Sequence, residues 1–85
     1  MRILAEPVVA SKQITQNACY LMGACAGYEN RSLRLYNEAS STATAALKVL
    51  TLTGEALALP SPGVYCQNGI YAVLDHGDGV VYYHY

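Results

Sequence analysis

Hydrophobic and polar residues alternate along several short segments of the chain, most clearly over 32–37. Leu33 and Leu35 fall on one side of this segment, and Arg34 and Tyr36 fall on the other. Successive side chains of a β-strand point to opposite faces, so the alternation predicts a strand with one buried and one solvated face. The small and polar residues that follow, over 38–44, have no such period and predict a loop.

The segment 64–85 predicts three short strands joined by two tight turns. Its apolar runs are separated by Asn68-Gly69 and by the Asp- and Gly-rich sequence 75–79. Asn-Gly between apolar runs is a strong hairpin signal, because both residues tolerate the positive φ angles of a type I′ turn. The sequence therefore predicts a C-terminal β-meander over 64–85, with its last strand in the core and not in a disordered tail.

The rest of the chain predicts further extended segments, at 18–26, 47–52 and 56–59. A bulge is expected at Gly23, and the prolines of 60–63 predict a rigid corner. Residues 1–12 predict an N-terminal arm or an edge strand, because Pro7 is tolerated only where no ladder hydrogen bond is needed. Strands that recur at this short spacing are typical of a small antiparallel β-sandwich or barrel, and the length predicts one domain over 1–85.

Composition changes this picture by suggesting partners. Charged residues make up 13% of the chain and apolar residues 53%, so the charged share is about half of that in ordinary soluble domains. We expect other subunits to cover part of the apolar surface. The alternative is a small soluble domain in which Ala and Gly inflate the apolar share. The net charge of −1, with dispersed Lys and Arg residues, does not indicate nucleic-acid binding.

The N-terminal residues do not predict a targeting or membrane segment. Glu6 and Pro7 end the first apolar run far short of a signal-peptide core or a membrane span. We therefore expect a chain that is synthesised in the cytoplasm and has no membrane partner.

Three cysteines and one acidic turn are the candidates for chemistry. Cys19, Cys25 and Cys66 fit no metal or redox spacing, and Cys19 and Cys25 would lie about 20 Å apart on one strand, too far for a disulfide. We interpret all three as buried thiols. The sequence 75–79, with His84 as a further ligand, could bind an ion, but its Asp and Gly residues are those of a tight hairpin loop. No catalytic residue, metal or cofactor is predicted.

Several segments together resemble a group of small tailed-bacteriophage proteins: Ser-Leu-Arg-Leu-Tyr-Asn (32–37), Lys-Val-Leu-Thr (48–51), Asn-Gly-Ile-Tyr-Ala-Val-Leu (68–74) and Gly-Val-Val-Tyr-Tyr (79–83). The resemblance covers roughly 18–85 and leaves out the N-terminal segment and the cysteine pattern. It implies a β-sandwich or β-barrel virion component, of the capsid decoration or cement type, with no catalytic residues. The implied partners are the major capsid protein or other virion proteins, and the implied location is the head surface of the virion, after synthesis in the host cytoplasm.

This interpretation leads to a predicted contact surface and to alternatives. The candidate interface residues are Val8, Val9, Tyr82, Tyr83 and Tyr85, although the tyrosines could equally serve ordinary sheet packing. A homo-oligomer is expected, preferably a trimer, unless a monomer becomes ordered on the capsid. A neck or tail component of the virion is the alternative, and a receptor- or glycan-binding module is a further one.

Overall fold

A computed structural model describes residues 2–26, 32–41, 47–53, 56–75 and 77–85. These residues contain nine β-strands: β1 (Leu4–Val8), β2 (Lys12–Thr15), β3 (Cys19–Ala26), β4 (Ser32–Tyr36), β5 (Lys48–Thr53), β6 (Ala56–Ala58), β7 (Val64–Cys66), β8 (Ile70–Leu74) and β9 (Gly79–His84). They form two antiparallel sheets that pack face to face, which confirms the predicted small all-β sandwich. Within the described ranges no helix is long and apolar enough to cross a membrane.

Sheet A has the strand order β1-β9-β3-β6, and β7 also pairs with β3. The long strand β3 is bonded to β9 along one side; along the other, Cys19–Leu21 pairs with β7 and Gly23–Cys25 pairs with β6. The corner over 59–63 separates β6 from β7, and it is closed by a hydrogen bond from Gly63 N to Pro60 O of 2.7 Å. The pairing between β3 and β9 breaks register between Leu21 and Gly23, which confirms the bulge expected there.

Sheet B has the order β2-β8-β4-β5. Its presence corrects the predicted C-terminal meander, because the three strands of 64–85 do not pair with one another. Strand β8 lies in sheet B between β2 and β4, whereas β7 and β9 both lie in sheet A. Each of the two connections therefore crosses from one sheet to the other, and neither is a hairpin.

Contacts with sheet B explain the crossing at Asn68-Gly69. Asn68 N donates at 2.8 Å to Oδ1 of Asn37, the residue after β4, so the opposite sheet holds the turn together with the turn's own hydrogen bond from Gly69 N to Cys66 O at 3.3 Å. Gly69 has φ +98° and lies against the carbonyl oxygen of Thr15, where an added Cβ would clash. The predicted turn at Asn68-Gly69 is confirmed, but a turn does not determine whether the strands on its two sides pair with each other.

The inner faces of both sheets supply one core. Alternate residues of the strands point inward and are buried; among the largest that are fully covered are Val8, Leu21, Leu33, Leu35, Ile70 and Val81. Burying them stabilises the fold by about 25 cal/mol for each Å² of apolar surface removed from water. Strand β1 is the edge of sheet A, and its Pro7 is paired with Val80 at that edge.

One residue of β4 departs from the predicted pattern. Leu33 and Leu35 are buried as expected, but Tyr36, predicted on the solvated face with Arg34, is only 5% exposed. Its cross-strand neighbours are Lys48 on β5 and Tyr71 on β8, so it has a long side chain on either side. The alternation of Leu33 and Leu35 with Arg34 is confirmed, but the burial of Tyr36 depends on neighbouring strands that are distant in sequence.

Candidate protein-interaction surface

The candidates for ion binding are used in internal contacts. Asp75 Oδ1 accepts a hydrogen bond from Arg34 Nη2 at 3.1 Å, and Asp75 N donates to Ser32 O. His84 is 6% exposed, with its two ring nitrogens at 3.0 Å from the carbonyl oxygens of Tyr85 and Pro62. His76 lies outside the described residues. Among the residues that are described, no group of three His, Cys, Asp or Glu side chains could hold a metal ion.

The two sheets differ sharply in the charge that they carry. The strands of sheet A contain one carboxylate, Glu6, and no Lys or Arg, whereas those of sheet B contain Lys12, Arg34 and Lys48. Glu6 itself forms an ion pair with Lys12. In the described part of the chain, the exposed large apolar side chains follow the same division. Leu47 lies beside sheet B, and the others lie within or directly beside the strands of sheet A: Ile3, Val9, Leu57, Val64, Tyr65, Tyr82 and Tyr85. Sheet A therefore presents the apolar surface of the sandwich.

An apolar groove, here called the sheet A groove, crosses this surface between the start of β1 and strand β6. Its volume is about 640 Å³, and it is lined mainly by Ile3, Met22, Cys25, Ala56, Leu57 and Tyr82. None of the described residues that line it is charged. Ile3 and Tyr82, respectively 52% and 39% exposed, line one side of it, whereas the small alanines of β6 leave the other side open.

Gly23 allows β6 to form one wall of this groove. An added Cβ at Gly23 would collide with the carbonyl oxygen of Leu57 and would lie 3.2 Å from Cα of Ala58. The absence of a side chain therefore lets β6 approach and pair with β3 at the bulge. Strand β6 is an edge strand, and all three of its residues are exposed. The groove thus lies beside backbone hydrogen-bonding groups that no strand within the described part of the chain covers.

A row of aromatic rings crosses sheet A at the other end of β3. Tyr65 of β7 packs against Tyr20 of β3 with ring centroids 5.1 Å apart, and Tyr20 stacks on His84 of β9 at 5.0 Å and 11°. The register explains the row, because Tyr20 is paired with Tyr65 on one side and with His84 on the other. Tyr65 ends the row and is 54% exposed.

The predicted interface residues are divided by the structure. Val8 and Tyr83 are 0% and 7% exposed, so the prediction that they form a contact surface is wrong. Both point inward, because they share the face of Val81, which is fully buried. Val9 is exposed in the turn after β1, and Tyr85 is exposed while its hydroxyl lies 2.8 Å from Thr15 Oγ1. Tyr82 is the one predicted residue that lines the sheet A groove.

Sequence reasoning missed most of the groove. Ile3, Met22 and Leu57 are ordinary apolar residues in short segments, and nothing local distinguishes them from core residues. The feature of the sequence that indicates this surface is the scarcity of charged residues in the segments that form sheet A. It could be used only once the strand pairing had shown that these segments share a surface.

Comparison with known proteins gives no match to a family model, to a curated protein or to a solved structure.

Proposed function

We propose that this chain is a structural protein of a tailed-phage virion, a capsid decoration or cement protein that stabilises the head shell by protein–protein contacts. The observation that carries the proposal is the charge-poor outer surface of sheet A with its apolar groove. The sequence resemblance supports the virion assignment, and the β-sandwich fold agrees with what that resemblance implies.

The physical chemistry of the groove favours contact with a protein. Interface centres are depleted of charge and enriched in Tyr and Met, which is the composition of this groove with Tyr82 and Met22. The free edge of β6 offers backbone groups to an added strand of the partner. Sheet A would therefore face the shell, and the more charged sheet B would face solvent.

Repetition lets a small surface of this kind be effective. Each copy can bind weakly, because many copies on one shell act together and each contact holds neighbouring shell subunits in place. Contacts between copies, as in a trimer, would add to this effect. Gel filtration with light scattering tests that part: a monomer at high concentration, free of capsids, would exclude a self-associating oligomer.

The binding test uses heads assembled from the major capsid protein of the same genome without this chain. We expect the wild-type protein to co-sediment with the heads at a saturable number of copies and to raise their disruption temperature. Ile3→Asp places a charge in the groove at an exposed position and should weaken binding at least about tenfold. Thr51→Asp, on the exposed edge of sheet B, is the matched control and should bind as the wild type does.

Three results would contradict the proposal. Unchanged binding by folded Ile3→Asp would exclude the groove as the contact. Equal weakening by Thr51→Asp would indicate a general charge effect. Binding to purified tails and not to heads would favour the neck or tail alternative.

The aromatic row favours a second candidate, a glycan-binding module. Tyr65 presents an exposed ring supported by Tyr20, a geometry that can stack on the apolar face of a sugar. A glycan array separates the two functions: binding that is lost in Tyr65→Ala but kept in Ile3→Asp would favour the module over the cement protein.

A further inference from the structure

Two of the three cysteines face each other across neighbouring strands in the core. Cys19 of β3 and Cys66 of β7 are direct partners in the antiparallel register, and they are 1% and 0% exposed. Cys25 lies at the other end of β3, lines the sheet A groove and is half-buried. The sequence did not indicate this pair, because residues 19 and 66 are 47 positions apart.

The register brings the pair within reach of a covalent bond. Opposed residues of antiparallel strands have Cα atoms about 4.5–5.5 Å apart, inside the range of about 4.4–6.8 Å found in disulfides. Their Cβ atoms, about 4.5–5.5 Å apart in such pairs, would have to approach by up to about 1 Å. Strand β7 can make this adjustment, because it has three residues and, of the described strands, only β3 is bonded to it.

We propose that Cys19 and Cys66 are a modification site at which a disulfide oxidant cross-links β7 to β3. The inference rests on the strand register and not on the proposed function. Cys25 is excluded as a partner of either thiol: it lies six residues from Cys19 on the same strand and on the outer face.

The chemistry with oxidised glutathione balances. One cysteine thiolate attacks a glutathione sulfur, forms a mixed disulfide and releases one glutathione thiolate. The second cysteine thiolate attacks the protein sulfur of that mixed disulfide, forms the Cys19–Cys66 bond and releases the second glutathione. The two cysteines are oxidised by two electrons and lose two protons, and one glutathione disulfide is reduced to two thiols.

Burial makes the reaction slow in the closed fold. Burial, and then the nearby Cys66, raise the pKa of Cys19 to about 11, and burial also raises the pKa of Cys66. Both thiols are therefore protonated near neutral pH, and the reacting species is the thiolate. Oxidation is expected when β7 transiently leaves the edge of β3, and the bond then holds β7, with Tyr65, in its register.

The test compares two variants that each keep two cysteines. Cys25→Ala retains the opposed pair, and Cys66→Ala retains two cysteines at opposite ends of one strand. Each variant is equilibrated in a buffer of oxidised and reduced glutathione, with and without urea, quenched with acid and analysed by peptide mass mapping. We expect an intramolecular disulfide in Cys25→Ala and none in folded Cys66→Ala.

The size of the effect tests the native register. For a loop of this length, the disulfide equilibrium constant of Cys25→Ala should be on the order of a thousandfold larger in buffer than in urea, with a matching rise in the urea midpoint of the oxidised protein. Equal constants in the two conditions, a lower midpoint after oxidation, or only glutathione adducts would overturn the proposal. Far-UV circular dichroism of the reduced variants establishes that both are folded.

Discussion

Tyr82 and Tyr83 are adjacent, chemically identical residues of β9, and the structure predicts very different costs for removing each. Tyr83 points into the core and is 7% exposed, whereas Tyr82 points into the sheet A groove and is 39% exposed. The ring of Tyr83 also packs edge-on against Tyr85, with centroids 5.8 Å apart. The pair of substitutions Tyr82→Ala and Tyr83→Ala therefore tests which face of sheet A is the core.

The expected magnitudes follow from burial. Tyr83→Ala removes a buried ring and leaves a cavity, which costs about 3–5 kcal/mol of unfolding free energy. Tyr82→Ala removes a partly exposed ring at the surface, so no closed cavity forms and the cost should be about 1 kcal/mol. A domain of this size has a total stability of about 4–13 kcal/mol, so the first loss is a large part of it and the second is not.

Urea unfolding followed by far-UV circular dichroism measures both changes. We expect unchanged slopes, a small shift of the midpoint for Tyr82→Ala and a shift about three or more times larger for Tyr83→Ala. If Tyr83→Ala is unfolded without urea, Tyr83→Leu, which retains most of the apolar volume, keeps the comparison measurable. A loss for Tyr82→Ala that equals or exceeds the loss for Tyr83→Ala would refute the inward orientation of Tyr83.

Two other predictions concern hydrogen bonding and pH. The amide group of Gln13 donates from Nε2 to the carbonyl oxygens of Thr15, Glu38 and Ile70, at 2.8–2.9 Å. Gln13→Leu leaves these carbonyl oxygens without that donor, so urea unfolding should show a loss of about 2 kcal/mol in the free energy of unfolding. An equal loss for Gln16→Leu, at an exposed position, would contradict this reason. Because burial raises the pKa of Cys19 from 9.0 to about 11, its contribution to stability is complete below pH 9 and is lost as the pH rises to 11. The free energy of unfolding should fall over that interval by up to about 2 kcal/mol, seen as a lower urea midpoint, and it should fall less steeply in Cys19→Ala; equal slopes would show that Cys19 is not responsible.

Local patterns predicted the strands well but predicted their partners poorly. Strands near 18–26, 32–37 and 47–52 and the bulge at Gly23 follow from residue preferences and alternation that act within a few residues. The meander over 64–85 failed because Asn68-Gly69 specifies a tight turn and not the sheet that the next strand joins. Contacts of that turn with Asn37 and Thr15, far away in sequence, decide the crossing.

The candidate interaction surface also depends on contacts that local sequence patterns do not predict. Tyr82 was expected at the surface and lies there, but the alternation of β9 alone could not tell whether it or Tyr83 faces the core. Packing against sheet B determines that Tyr83 faces the core, and pairing of β9 with β1 and β3 then places Tyr82 in one groove with Ile3 and Met22.

The sequence by itself determined the β class, most strand positions, the turns and the scarcity of charge, because each depends on side-chain chemistry acting over a few neighbouring residues. Only the tertiary structure decided the division into two sheets, the apolar outer face of sheet A and the opposition of Cys19 and Cys66. These features depend on hydrogen bonds and packing between segments tens of residues apart. A period of two assigns residues to opposite faces of a strand, but only the opposite sheet determines which face is buried.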